Sequence, residues 1–174
     1  MEQSLNQIPI STYKTTPEAE ELVLSVLRSG QLAQGPMVAK LEELSARMAG
    51  TEHAVAYSNG TATLVGALIA NSVGPGDEVI TSPFTFVATL NAILFTGAKA
   101  VFADIDAKTY NIDPKAIEAA ITENTKAIMP VHIFGQACDM KEIMTIAKKN
   151  NLVIIEDAAQ AHGALWDKKP VGSF

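Results

Sequence analysis

Val153-Ile154-Ile155-Glu156-Asp157-Ala158-Ala159-Gln160-Ala161-His162-Gly163 reads as a short apolar strand that delivers two acids, then Gln and His, into small-residue surroundings. Open α/β sheets hold their ligands outside the carboxyl ends of their strands, so a carboxylate placed there points to a site. An unpaired buried carboxylate is costly, and Asp157 is therefore expected to meet a cation. The alternative is that Glu156 and Asp157 cap the turn that follows. Both readings need a strand over 152–156.

Outward from that strand the pattern alternates. Strand-like runs fall at 53–57, 78–81, 100–103 and 126–131, and helical stretches at 61–72, 84–95, 114–121 and 139–149. Strict alternation predicts a three-layer α/β/α fold with a mostly parallel sheet. Ahead of it, Ala19, Leu22, Val23, Val26 and Leu27 make the stripe of an amphipathic helix over 17–29, with Thr16 as cap and Pro17 at the first position. Pro36 starts a second helix carrying Val38, Leu41, Leu44 and Met48, and Gly50 ends it. The expected organisation is a helical segment over 1–50 and an α/β domain over 51–174.

Three local patterns have specific readings. Gly74-Pro75-Gly76-Asp77 precedes a strand instead of following one, so it is a turn and not a dinucleotide loop. Asp113 and Pro114 read as a helix entry, and Asp139 with Glu142 as a capping box. Trp166-Asp167-Lys168-Lys169-Pro170 reads as a hairpin turn.

Composition narrows the function. The net charge is -6 with scattered Lys and Arg, which disfavours nucleic acid as a partner. No apolar run approaches the roughly 18 residues of a membrane span, and Met1-Glu2-Gln3-Ser4-Leu5-Asn6 does not open a secretory signal; a cytoplasmic address is expected. Cys138 is the single cysteine and excludes an internal disulfide; it is expected to be a small buried side chain. Asp157, His132, His162 and Cys138 match no compact metal-ligand spacing, and no nucleophile elbow is present, so neither a metal site nor a hydrolase is expected.

Gly60 and Thr61, in Tyr57-Ser58-Asn59-Gly60-Thr61-Ala62-Thr63, sit where a strand gives way to a helix. Free amides and the positive end of the helix dipole suit a phosphate there, although the same residues serve as a plain cap. Phe84 and Phe86 lie two apart in Ser82-Pro83-Phe84-Thr85-Phe86-Val87-Ala88-Thr89 and cannot face the same way, so either one covers a ligand or both join the core. His132 and His162 either line a pocket and orient Asp157 or are hydrogen-bonded structural residues.

These segments, with Leu32-Ala33-Gln34-Gly35-Pro36, Pro130-Val131-His132-Ile133-Phe134-Gly135-Gln136 and Val171-Gly172-Ser173-Phe174, resemble in order the nucleotide-sugar aminotransferases of the DegT/DnrJ group, fold-type-I pyridoxal-phosphate (PLP) enzymes. The resemblance implies the first half of a PLP-binding large domain. Gly60, Thr61 and Ala62 would hold the cofactor phosphate, Phe86 stack on the ring, Asp157 keep the ring nitrogen protonated, and Gln160 bond near the 3-hydroxyl. It implies transfer of an amino group, expected from glutamate, to a keto group of a nucleotide-activated sugar in polysaccharide biosynthesis, by a homodimer.

None of the lysines of this sequence is well placed for the cofactor. In the resembling family the Schiff-base lysine lies beyond the Val-Gly-Ser-Phe segment, so the 174-residue chain is expected to hold half a site, to be inactive alone and to be unstable or self-associating. A sugar dehydratase of the same family, with histidine in place of the lysine, and a non-catalytic remnant or scaffold stay open as alternatives.

Overall fold

The structure is a computed structural model and describes residues 12–174. The chain falls into two compact units, Met1–Lys40 and Leu41–Phe174. In the first, helix α1 (Pro17–Ser29) is set as its sequence demands. Thr16 accepts a hydrogen bond from the Ala19 amide, Pro17 opens the helix, and Gly30 at φ 72° closes it in the left-handed region that favours glycine. Helix α2 (Pro36–Ala49) has residues on both sides of the boundary.

The second unit carries α3 (Gly60–Ala70), β1 (Glu78–Thr81), α4 (Val87–Phe95), β2 (Lys99–Phe102), α5 (Pro114–Ala120), β3 (Thr125–Met129), α6 (Met140–Asn150), β4 (Val153–Ile154), and the hairpin β5 (Leu165–Trp166) and β6 (Lys169–Pro170). The four long-range strands form one parallel sheet in the order β2-β1-β3-β4. Val79 pairs with Ala100 and Ala127, and Ile128 with Ile154. Alternation along each strand then fills two cores. Val79, Ala127 and Met129 pack with Leu64 and Leu68 of α3 and Ala92 and Ile93 of α4. Ile80 and Ile128 pack with Ile117 of α5 and Met140, Ile143 and Ala147 of α6 on the opposite face. The result is the three-layer α/β/α arrangement with a parallel sheet.

The turns behave as their residues require. Asp77 donates its amide to the Gly74 carbonyl at 3.1 Å with Gly76 at φ 94°, a turn that places proline and glycine where each is favoured. Asp113 and Asp139 cap α5 and α6 through the amides of Lys115 and Glu142. Asp167 and Lys168, at φ 45° and 68°, close the β5–β6 hairpin in the form that needs two positive φ values.

One element differs. Residues 53–57 form no strand: they have no ladder partner among the described residues, because β2 and β4 are the sheet edges and neither pairs with this run. Val55 and Tyr57 are exposed. The Ala56 amide is satisfied instead by the Glu42 carboxylate at 2.9 Å. Helix α4 also starts at Val87, later than the expected 84, because residues 84–86 form the loop that leads from β1 to it.

Candidate active site

Beyond Ile154 the last strand keeps its alignment without formal pairing. Ile155 donates to the Ile128 carbonyl at 3.0 Å and Asp157 to the Pro130 carbonyl at 2.9 Å, so Asp157 arrives at the carboxyl end of the sheet beside Val131. The residue is 7% exposed. Its Oδ2 accepts from the Thr89 hydroxyl at 2.7 Å and its Oδ1 from the Ala159 amide at 3.2 Å. The Thr89 hydroxyl lies 2.8 Å from that of Thr85. Since Thr89 gives its one proton to Asp157, Thr85 donates to Thr89, and a chain of hydroxyls runs from the β1–α4 loop to the carboxylate. No protein cation pairs with Asp157 among the described residues.

A cavity of about 340 Å³ opens at this point, lined by Gly60, Thr61, Phe86, Asp157, Ala159 and Gln160 among others. Five of the six residues expected from the sequence thus meet on one wall system. Ala62 does not line it and faces the neighbouring apolar surface with Val65 and Ile69. At the start of α3 the Asn59 side chain accepts from the Ala62 amide at 3.0 Å, while the Gly60 and Thr61 amides have no protein partner among the described residues. Two residues with free amide donors at the positive end of an 11-residue helix therefore line the cavity.

Neither phenylalanine of the β1–α4 loop enters the core. Phe86 is 68% exposed and lines the cavity; Phe84, 41% exposed, packs against the rings of Tyr110 and Phe134 at 5.8 and 6.0 Å between centroids. Gln160 accepts the Phe134 amide through Oε1 at 2.9 Å, which fixes its carboxamide at the cavity edge.

The histidines separate. His162 is exposed. His132 is buried and does not touch the Asp157 carboxylate; its Nε2 lies 2.9 Å from Glu156 and its Nδ1 accepts the Cys138 amide at 3.0 Å. Cys138 is buried, as expected, and burial with the nearby Glu156 charge pushes its thiol up to about 12. No group of three or more potential metal ligands occurs among the described residues, and no helix there is long and apolar enough to cross a membrane.

Sequence reasoning gave Thr89 no role and Glu156 only that of a turn cap. The signal for Thr89 was a lone hydroxyl on the apolar side of a helix, four residues after another threonine. For Glu156 it was strand alternation itself, which must send neighbouring acids into opposite layers.

The arrangement fits a phosphorylated pyridine. The cavity lining brings together two residues with free helix-terminal amides, an exposed aromatic ring and a buried carboxylate without a protein cation among the described residues. Comparison with known proteins points the same way. The model of the DegT/DnrJ/EryC1/StrS aminotransferase family matches residues 14–174. The spore coat polysaccharide biosynthesis protein SpsC of Bacillus subtilis is 47% identical over 96% of this chain and 43% of its own length. The UDP-2-acetamido-2-deoxy-3-oxo-D-glucuronate aminotransferase of Pseudomonas aeruginosa is 49% identical over 83% of this chain and 40% of its own. An aminotransferase from Psychrobacter cryohalolentis superposes with a TM-score of 0.90 at 42% identity, covering 94% of this chain and 42% of that one. NtdA from Bacillus subtilis, solved with bound cofactor PMP, superposes with a TM-score of 0.85 at 34% identity over 93% of this chain and 39% of that one. The chain spans less than half the length of these relatives.

Proposed function

Because the chain belongs to the DegT/DnrJ/EryC1/StrS aminotransferase family, we propose that it forms part of a PLP-dependent enzyme that transfers an amino group, from glutamate, to a keto group of a nucleotide-activated sugar. The observation that carries this reading is the cavity that gathers Gly60, Thr61, Phe86, Asp157 and Gln160. The 49% identity to an enzyme named for amination of a UDP-linked oxo sugar supports the substrate class.

When bound, PLP supplies the electron sink for amino transfer. The chain's own residues would do the rest. The Gly60 and Thr61 amides hold the phosphate, with the small side chain of Ala62 completing the turn while its amide serves the Asn59 cap. Phe86, which lines the cavity, would stack on the ring and shield it from water. Asp157 keeps the proton on the ring nitrogen, its carboxylate aimed by Thr89 and Ala159. Gln160, its amide oxygen held by Phe134, presents its remaining donors toward the ring hydroxyl.

No lysine lines the cavity among the described residues. We place the covalent anchor in sequence that the longer relatives carry outside the matched stretch. Homodimeric assembly, a cytoplasmic address and a role in polysaccharide biosynthesis belong to the same proposal; sedimentation and cell fractionation check the first two.

The test is titration of the full-length protein that carries this chain with pyridoxamine 5'-phosphate, followed by calorimetry, for wild type and Asp157→Ala. Saturable binding that is weakened at least about tenfold in the variant is expected, the loss of one charge-assisted contact. Equal binding by both proteins would overturn the assignment of Asp157. Borohydride reduction with PLP is expected to give no stoichiometric adduct on any single lysine of this chain; such an adduct would contradict an anchor from elsewhere.

A further inference from the structure

Glu156 adjoins Asp157, but strand alternation sends its side chain into the opposite layer. Its carboxylate is 4% exposed and takes three N–H groups. His132 Nε2 at 2.9 Å and the Gly172 amide at 2.8 Å reach Oε2, and the Phe174 amide reaches Oε1 at 2.7 Å. His132 is fully buried, and its Nδ1 accepts the Cys138 amide at 3.0 Å. A ring nitrogen that accepts carries no proton, so Nε2 holds the hydrogen and donates it to Glu156. The fold thereby fixes the tautomer.

The same histidine meets the site through its main chain. Its amide donates to the Asp157 carbonyl at 3.1 Å, while the Asp157 amide donates to the Pro130 carbonyl at 2.9 Å. Asp157 is thus bracketed by backbone bonds to the segment that carries His132, and the neighbouring side chains bond each other. A one-residue slip of a strand turns every side chain to the other face. Here such a slip would carry the Asp157 carboxylate away from Thr89 and the cavity, and would leave the Glu156 and His132 side chains in different layers. Buried polar pairs contribute little net stability but can fix a register, which is the use that suits this pair.

We propose that Glu156 and His132 are positioning residues: they lock the register that presents Asp157 to the cavity and pin residues 172–174 beside it. The catalytic significance rests on the reading of Asp157 as the partner of the cofactor nitrogen. Two variants divide the network. In His132→Gln the side-chain amide nitrogen can stand in for Nε2 and still donate to Glu156. In His132→Asn the carbonyl oxygen can stand in for Nδ1 and keep the Cys138 bond, but the side chain no longer reaches Glu156, which keeps only the Gly172 and Phe174 amides.

Amide hydrogen exchange on the ¹⁵N-labelled full-length protein that carries this chain reads the outcome. His132→Asn is expected to speed exchange at Asp157 and Ala159 by roughly tenfold or more, as for one lost buried hydrogen bond, with Ile80 and Ile117 unchanged. His132→Gln is expected to stay within about threefold of wild type at all four amides. Glu156→Gln gives a third check, since its NH₂ group would face a donor. In the one orientation of the new carboxamide that keeps His132 and Gly172 bonded, its NH₂ group meets the Phe174 amide, which loses its acceptor and is expected to exchange faster. Exchange at Asp157 and Ala159 equal to wild type in His132→Asn, or a uniform rise that includes Ile80 and Ile117, would overturn the inference; equal behaviour of the Asn and Gln variants would do the same. Pyridoxamine 5'-phosphate binding decides the underlying reading separately: if Asp157→Asn binds it as tightly as wild type while the exchange pattern holds, the cofactor role fails and the register lock stands.

Discussion

Thr89→Val tests how the carboxylate at the heart of the site is held. Thr89 is fully buried on α4, and its hydroxyl donates to Asp157 Oδ2 at 2.7 Å. Valine keeps the shape and the methyl packing but has no hydroxyl, so the change removes the hydrogen bond to the charged Asp157 and, with it, the acceptor of the half-buried Thr85 hydroxyl. Such bonds contribute about 1.5–3 kcal/mol net, and a buried acceptor left with fewer donors lies toward the upper end. The folding equilibrium should therefore weaken roughly 10- to 150-fold, at about 1.4 kcal/mol per factor of ten. Urea unfolding followed by the fluorescence of the single tryptophan, Trp166, measures it as a lower midpoint with unchanged slope. A cycle with Asp157→Asn then isolates the pair and is expected to give a coupling of more than about 0.5 kcal/mol. A destabilisation below about 0.5 kcal/mol, or strict additivity in the cycle, would refute the hydroxyl chain as the support of Asp157.

Four further outcomes are expected. The Lys99 ammonium and then the Thr122 hydroxyl hold the Glu78 carboxyl below its ordinary 4.5, so its contribution is present above that value and is lost as pH falls through the depressed one. The difference in unfolding midpoint between wild type and Glu78→Gln should be largest near neutrality and shrink in acid; a constant difference would contradict the linkage. Leu68→Ala removes a fully buried side chain between α3 and the sheet and should destabilise by about 2–5 kcal/mol in the same urea assay. Gly97→Ala places a Cβ 2.9 Å from Pro75 Cγ at a φ of 81°, and thermal unfolding should show a loss of at least about 1 kcal/mol. Cys138, with its thiol raised to about 12, should resist a thiol reagent at pH 8 in the folded chain and react once urea unfolds it.

Much of the fold was legible along the chain because the signals are local. Thr16 and Pro17 open a helix, Asp113 and Pro114 another, and Pro75 with Gly76 make a turn wherever they occur, since these residues act through their own backbone angles and neighbouring amides. Apolar alternation between strand and helix likewise fixed the parallel, three-layer class. The run at 53–57 shows the limit: a strand exists only when a neighbour supplies its hydrogen bonds, and alternation cannot say whether that neighbour is there.

The site divides along the same line. The strand-end position pointed to Asp157, and the resemblance of the ordered motifs to the family added Gly60, Thr61, Ala62, Phe86 and Gln160, because strand-end turns in such a sheet converge at one edge. Which atoms meet there was decided by the tertiary structure. Thr89 reaches Asp157 across 68 positions in the chain, and His132 reaches Glu156 across 24. Such pairings follow from strand order, from register and from which face each side chain leaves by. The sequence by itself thus determined the kinds of segment, through short-range sterics and periodicity, and its ordered motifs named the candidate residues through the family resemblance they carry. Only the packed sheet decided that Asp157 turns to α4 while Glu156 turns to His132, because the two faces of a strand become different environments only when different helices cover them.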